Sequence, residues 1–268
     1  MAERARHYRT RELSARTFPD FERFFTQVHG CACTLYFFGR HLAPLAGTAE
    51  QVAKTLGGTP DRTRKHFPQA DLARARELAA VKTLVDEGQA HGILVYADDD
   101  PVGWCHFGRP DELPVPSEES VTGMTYAREA STDWVITCFT TRMDHRRQGV
   151  ARTALNAAVE AIQRRGGGWI EGVPMAFPYD DPTVRKLRRT FGWRSREVAD
   201  YLRDTWPSIE VPGIGQLSAC LATSRTMGHM GSMSMFEKAG FAAVRRDEQR
   251  STDDPRYPRD FVVMRRHV

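Results

Sequence analysis

The sequence predicts an α/β (α+β) fold, with strands and amphipathic helices sharing one core, and three stretches predict it. Trp134 to Val173 reads as strand, basic turn, helix, strand. Gly92 to Phe107 reads as a hairpin, two apolar runs around Asp98-Asp99-Asp100-Pro101. Asp71 to Glu87 reads as a long amphipathic helix, with Leu78, Val81, Leu84 and Val85 on its apolar face. At 268 residues, 41% hydrophobic and 27% charged, the chain can bury a large core, which excludes disorder throughout.

In chain order, MAERARHYRTREL lacks the apolar core of a secretory signal, and no run approaches the ~20 apolar residues of a membrane span. A cytoplasmic protein is expected, and five cysteines, an odd number, fit reduced thiols there. Asp20 is expected to N-cap a short helix through Phe21, Phe24, Phe25 and Val28, stopped by Gly30. Cys31 to Phe38 resembles a strand, and a loop to Pro60 contains an expected helix around Ala49 to Leu56. The 109–129 stretch, rich in Pro and charge, reads as a surface loop.

Trp134 to Thr141 is a bounded run of apolar, β-branched and aromatic residues, the pattern of a buried strand. Polar residues Arg142 to His145 close it. Val150, Leu155, Ala158, Val159 and Ile162 then recur at helical spacing until Gly166-Gly167-Gly168, and Trp169 to Val173 begins the next strand. Asp181-Pro182-Thr183 starts a basic helix through Val184, Leu187 and Phe191, Val198 to Trp206 suggests another, and Pro207 to Gly215 breaks the pattern. Arg245 to Pro258 reads as a charged loop, and Asp260 to Arg265 as a last strand.

The turn into the helix after His145 is an anion site by physical argument. The first N–H groups of a helix have no internal partner, and the macrodipole is positive there. Gly149 admits close approach of a ligand, Ala151 is small, and Arg146, Arg147 and Arg152 add charge around Gln148 and Val150. Phosphate is the natural guest.

The motif Arg146-x-x-Gly149-x-Ala151, after a strand and before an amphipathic helix, resembles the acyl-CoA pyrophosphate loop of the GNAT superfamily of N-acetyltransferases. Gly231 to Phe241, GSMSMFEKAGF, is similar to the short GNAT helix that ends in Gly-Phe and covers the pantetheine arm; the Gly92–Phe107 hairpin resembles the one preceding the central strand. The resemblance implies a mixed, mostly antiparallel sheet flanked by helices and splayed between its two central strands. It implies a single elaborated domain over 1–268: acceptor-side helices in 1–90, hairpin, central strand, acyl-CoA loop and helix in 91–175, an insertion in 176–230, and a C-terminal helix and strands in 231–268. The insertion is expected to cover the acceptor cleft, or else to decorate the fold or form a homodimer contact.

The implied activity is transfer of an acetyl group from acetyl-CoA, as co-substrate, to a primary amine by direct attack in a ternary complex. Pantetheine and thioester carbonyl would lie on main-chain groups of Phe139, Thr140 and Thr141, with Phe236 beside them. Where many members have a Tyr four residues before the Gly of Gly-Phe, this chain has Phe236, which donates no proton. Water suffices for a thiolate of pKa about 8.5, or the protein binds acyl-CoA silently as a regulator.

Candidate catalytic residues are Glu171, His106 and Asp180 as bases for the amine, and Cys138 as a contact or transient acyl-enzyme. Each also has a structural reading: an Arg partner for Glu171, a satisfied strand position for His106, a cap on the Thr183 helix for Asp180, a small core residue for Cys138. Trp104, Trp134, Tyr179 and Asp180 are candidate acceptor contacts. His29, Cys31, Cys33 and His41 lack the paired spacing of a zinc site, so no metal is expected. The acceptor is a small-molecule or protein amine, with no membrane partner. A net charge of +4 is mild for nucleic-acid binding, although Arg185, Lys186, Arg188, Arg189, Arg194 and Arg196 keep an RNA-linked amine in view.

Overall fold

The computed structural model describes residues 7–28, 68–113, 131–174, 178–179, 181–192, 195–205, 208–218, 220–221, 229–248 and 260–268. The Cys31–Phe38 strand, the Ala49–Leu56 helix, the four candidate metal ligands, most of the 109–129 loop and Asp180 lie outside them.

Seven strands form one sheet, in the order β1 (Tyr8–Glu12), β2 (His91–Ala97), β3 (Asp100–Gly108), β4 (Trp134–Thr141), β5 (Trp169–Gly172), β11 (Asp260–His267), β10 (Ala242–Glu248). Every pair is antiparallel except β4 with β5. The parallel pair is the one joined through a helix, α3 (Val150–Arg164), because parallel neighbours need a long crossover. Hairpin β2–β3 turns at Asp98, whose φ of +56° is tolerated by Asp better than by most residues.

Two apolar layers cover the sheet. On one face α3 buries Val150, Leu155, Ala158 and Ile162 against Ile93, Phe107, Ile136 and Ile170. The short helix α6 (Met233–Lys238) adds Phe236 to the same core. On the other face α1 (Phe18–Gln27) and α2 (Pro68–Asp86) enclose Trp104 with Phe21, Phe25, Leu78 and Val81. Trp104 meets Phe21 edge-on at 4.8 Å, a favourable aromatic geometry. Helix α1 begins at Phe18, with Pro19 in its first turn, so Asp20 is not its N-cap; its carboxylate accepts the Tyr96 hydroxyl at 2.8 Å instead.

The insertion contains α4 (Pro182–Phe191) and α5 (Arg196–Thr205), which share a small core of Val184, Val198 and Leu202. Asp181 caps α4 through the amides of Thr183 and Val184 and also accepts the Tyr201 hydroxyl. Where the sequence suggests a break, β7 (Ser208–Val211) and β8 (Gly215–Ser218) form a hairpin. Its Val211 and Leu217 enter the core on the α3 face, opposite α1 and α2. This part of the insertion therefore packs on the α3 face of the sheet. β6 (Pro178–Tyr179) pairs with β9 (Cys220–Leu221). Among the described residues, no helix is long and apolar enough to cross a membrane.

Candidate active site

Strand β4 is paired with β3 from Val135 to Thr141 but with β5 only at Trp134, Val135 and Ile136. At the point of divergence Phe107 opposes Ile136 and His106 opposes Cys138, so Thr137 is the extra residue of a bulge. A bulge bends its strand and increases its twist, which carries the second half of β4 away from β5. Beyond it, the Phe139 N–H donates to the His229 carbonyl at 2.7 Å. The Thr141 carbonyl accepts from Arg146 Nε over a long 3.5 Å.

The turn after β4 is held from outside. Arg142 pairs with Asp100 and, at 2.8 Å, with Asp144. Buried His145 meets the Tyr8 hydroxyl at 3.3 Å and Arg142 at 3.0 Å, and Tyr8 also donates to Gln148. The backbone turns left-handed at Arg147 (φ +62°) and again at Gly149 (φ +88°) before α3 starts. Strain of this kind at a non-glycine residue is concentrated at functional sites. Gly149 provides no side-chain cap, and the first turn of α3 contains no acidic residue. A Cβ on Gly149 would meet only the Arg152 guanidinium, at 4.0 Å. The glycine therefore leaves room above uncapped, positively polarised amides, and the surroundings fit a phosphate.

Arg147, Gln148 and Arg152 are exposed around this turn, and Arg146, Gly149 and Ala151 are half-buried. Val150 is buried: a Cβ on Gly103 would lie 2.2 Å from its Cγ1, so the glycine in β3 lets the start of α3 sit against the sheet. Val150 contributes packing through its side chain, and only its amide faces the candidate anion site.

On the α1–α2 face of β3 and β4 lie His106 and Cys138. His106 is fully buried, hydrogen-bonded to Thr137 and stacked on Trp104. Burial, with a smaller effect of His91, pushes its pKa down to about 3, so the imidazole is neutral. Cys138 is buried with its Sγ 3.8 Å from His229 Nδ1. This contact, outweighing burial, holds the His229 pKa above its ordinary value, with Arg146 acting against it. Sequence reasoning missed His229, which stands two residues before the Gly231–Phe241 block.

Glu171 has no exposed surface; its Oε2 accepts the Thr132 hydroxyl at 2.9 Å and lies 3.7 Å from Arg265 Nε. Trp104 and Trp134 are both buried, the latter donating to the Gly167 carbonyl, so neither lines an open cleft. Tyr179 lies in β6. Thr140 is buried and Thr141 half-buried. Phe236 is fully buried where β4 and β5 part, perpendicular to Phe139 at 6.0 Å. Among the described residues there is no cluster of metal ligands.

The model of the acetyltransferase (GNAT) family matches residues 59–173, the stretch that runs through α2, the β2–β3 hairpin, β4, the turn, α3 and β5. No curated protein matches the chain. Similar solved structures include the ribosomal-protein-S5-alanine acetyltransferase from Vibrio fischeri, at 10% identity over 97% of this chain and 93% of that one, TM-score 0.42. An N-acetyltransferase from Staphylococcus aureus Mu50 gives 7% identity over 97% and 98%, TM-score 0.42. A Bacillus subtilis acetyltransferase in complex with CoA gives 11% over 70% and 82%, TM-score 0.35.

Proposed function

We propose that the chain, whose residues 59–173 match the acetyltransferase (GNAT) family model, uses acetyl-CoA and moves the acetyl group to a primary amine by direct attack in a ternary complex. The acceptor is a small-molecule or protein amine. The observation that carries the reading is the strained, uncapped turn at Arg147–Gly149 directly following the strand that leaves its neighbour.

Acetyl-CoA supplies an activated thioester. The chain's part is positional and electrostatic: amides at the start of α3 hold the pyrophosphate with Arg146, Arg147 and Arg152 around it, and β4 holds the donor arm along Phe139–Thr141. The Phe139 N–H is the donor for the oxygen that becomes negative when the amine attacks. The amine, near pKa 10.4 when free, must shed a proton first. Of the candidates among the described residues, His106 and Cys138 share the face that α1 and α2 cover. A general base works best with a pKa near the operating pH, and at about 3 the buried His106 is too weak to take a proton from such an amine, which favours its structural role beside Thr137 and Trp104. Glu171 is engaged with Thr132 and Arg265, which favours a structural carboxylate.

A second reading, silent acyl-CoA binding, is favoured by Phe236, a ring without a hydroxyl packed between β4 and β5. Calorimetry with acetyl-CoA and release of free CoA thiol against an amine panel separate the two. Binding with thiol release supports transfer, binding without it supports the silent protein, and absence of binding refutes both.

A further inference from the structure

We infer that residues His229–Gly231 form a strap that competes with the donor arm for the open side of β4, so that acetyl-CoA loads by exchange. The inference rests on the reading above and names how that site is regulated.

The strap crosses the divergence of the two strands. On one side Met230 packs against Val173, just past β5, and Val263 in β11. On the other, the His229 carbonyl accepts the Phe139 N–H and the imidazole rests on Cys138. Between them Gly231 turns left-handed at φ +74°, and a Cβ there would lie 2.6 Å from Met235 and 3.1 Å from both Phe139 and Phe236. Only glycine allows the chain through at this depth. The next β4 group along, the Thr141 carbonyl, is engaged by Arg146. One main-chain donor and one acceptor, two residues apart on one strand, are thus both satisfied by the protein's own groups.

An extended ligand with its own amides binds a strand by pairing with such alternate groups. It cannot take the Phe139 N–H while the His229 carbonyl holds it, and the Arg146 guanidinium stands against the Thr141 carbonyl beside it. Affinity is then reduced by the fraction of molecules in which the strap is seated. Arg146 moves from the β4 carbonyl to the incoming phosphate, so the residue that closes one end of the edge becomes a ligand contact.

Hydrogen exchange read by mass spectrometry tests this, with and without saturating acetyl-CoA. Amides 230–232 are expected to exchange faster with the ligand while Phe139 stays protected; unchanged or greater protection of the strap overturns the inference. A His229→Cys variant places a thiol opposite Cys138. When the two are oxidised to a disulfide, acetyl-CoA is expected to bind at least tenfold more weakly, with recovery on reduction and no effect of oxidant in His229→Cys/Cys138→Ala. Equal affinity of the cross-linked and reduced forms overturns the strap. If the reduced wild-type protein binds no acetyl-CoA, the reading of the turn fails and the strap with it; if it binds and the strap stays protected, only the strap fails.

Discussion

Phe236 lies so close over Gly172 that a Cβ built on the glycine would be 2.4 Å from the ring's Cε1 and 2.9 Å from its Cζ. The last residue of β5 is therefore shaped by the ring that fills the gap beside it. Gly172→Ala is expected to lower unfolding free energy by about 1–3 kcal/mol, the usual effect of overpacking. Phe236→Leu in the same chain should recover part of that loss. A urea double-mutant cycle with no coupling between the two positions would contradict this packing.

Gly149→Trp is expected to weaken acetyl-CoA binding by more than a hundredfold. The side chain is turned into the open space above the first amides of α3, while left-handed backbone strain removes only about 1–2 kcal/mol of stability. Calorimetry on a variant shown to be folded by circular dichroism checks it. Wild-type affinity in that variant would remove the phosphate from this turn.

Stability should depend on His106 in acid. Its pKa is about 3 when folded against an unfolded value near 6.5, so between these pH values the unfolded chain binds the extra proton. The contribution is complete above pH 6.5 and is lost as pH falls, by about 1.4 kcal/mol per pH unit. Urea titrations of wild type and His106→Gln at pH 7, 6 and 5 should diverge in that direction. Parallel slopes would mean that the imidazole is not held neutral.

Acetyl-CoA affinity should fall as pH drops through the titration of His229. The Cys138 contact raises the proton affinity of this imidazole while the strap is seated, and Arg146 and burial act against it. Protonation therefore favours the seated strap and opposes loading. His229→Gln should flatten the dependence, and Cys138→Ala should move its midpoint to lower pH. A profile identical in all three proteins would exclude the linkage.

The sequence exposes what is encoded locally. Trp134–Thr141, α3 and the Gly149 turn are legible because an apolar run, a helical period and a glycine each act over a few residues. Strand β1 is not legible, since Arg9, Thr10 and Arg11 are all exposed and only its two ends are half-buried. Strand β10 resembles a charged loop because Val244 and Arg246 lie outward on the sheet's last strand. Gly213 and Gly215, which read as a break, bracket the β7–β8 turn with positive φ. Within the site, the Phe139–His229 bond joins main-chain atoms ninety residues apart, and main-chain atoms leave no mark on side-chain identity. The burial of Trp104 follows from Phe21 and Phe25 in a distant helix, which the local strand pattern does not contain.

A strand whose amides and carbonyls face nothing is a template for any other polypeptide that drifts past, and proteins blunt such margins to stay dispersed. By giving the Phe139 N–H and the Thr141 carbonyl partners from its own chain, the His229 carbonyl and Arg146 narrow that margin on the second half of β4. Weakening that cover should show first as clumping at high concentration, well before any loss of secondary structure.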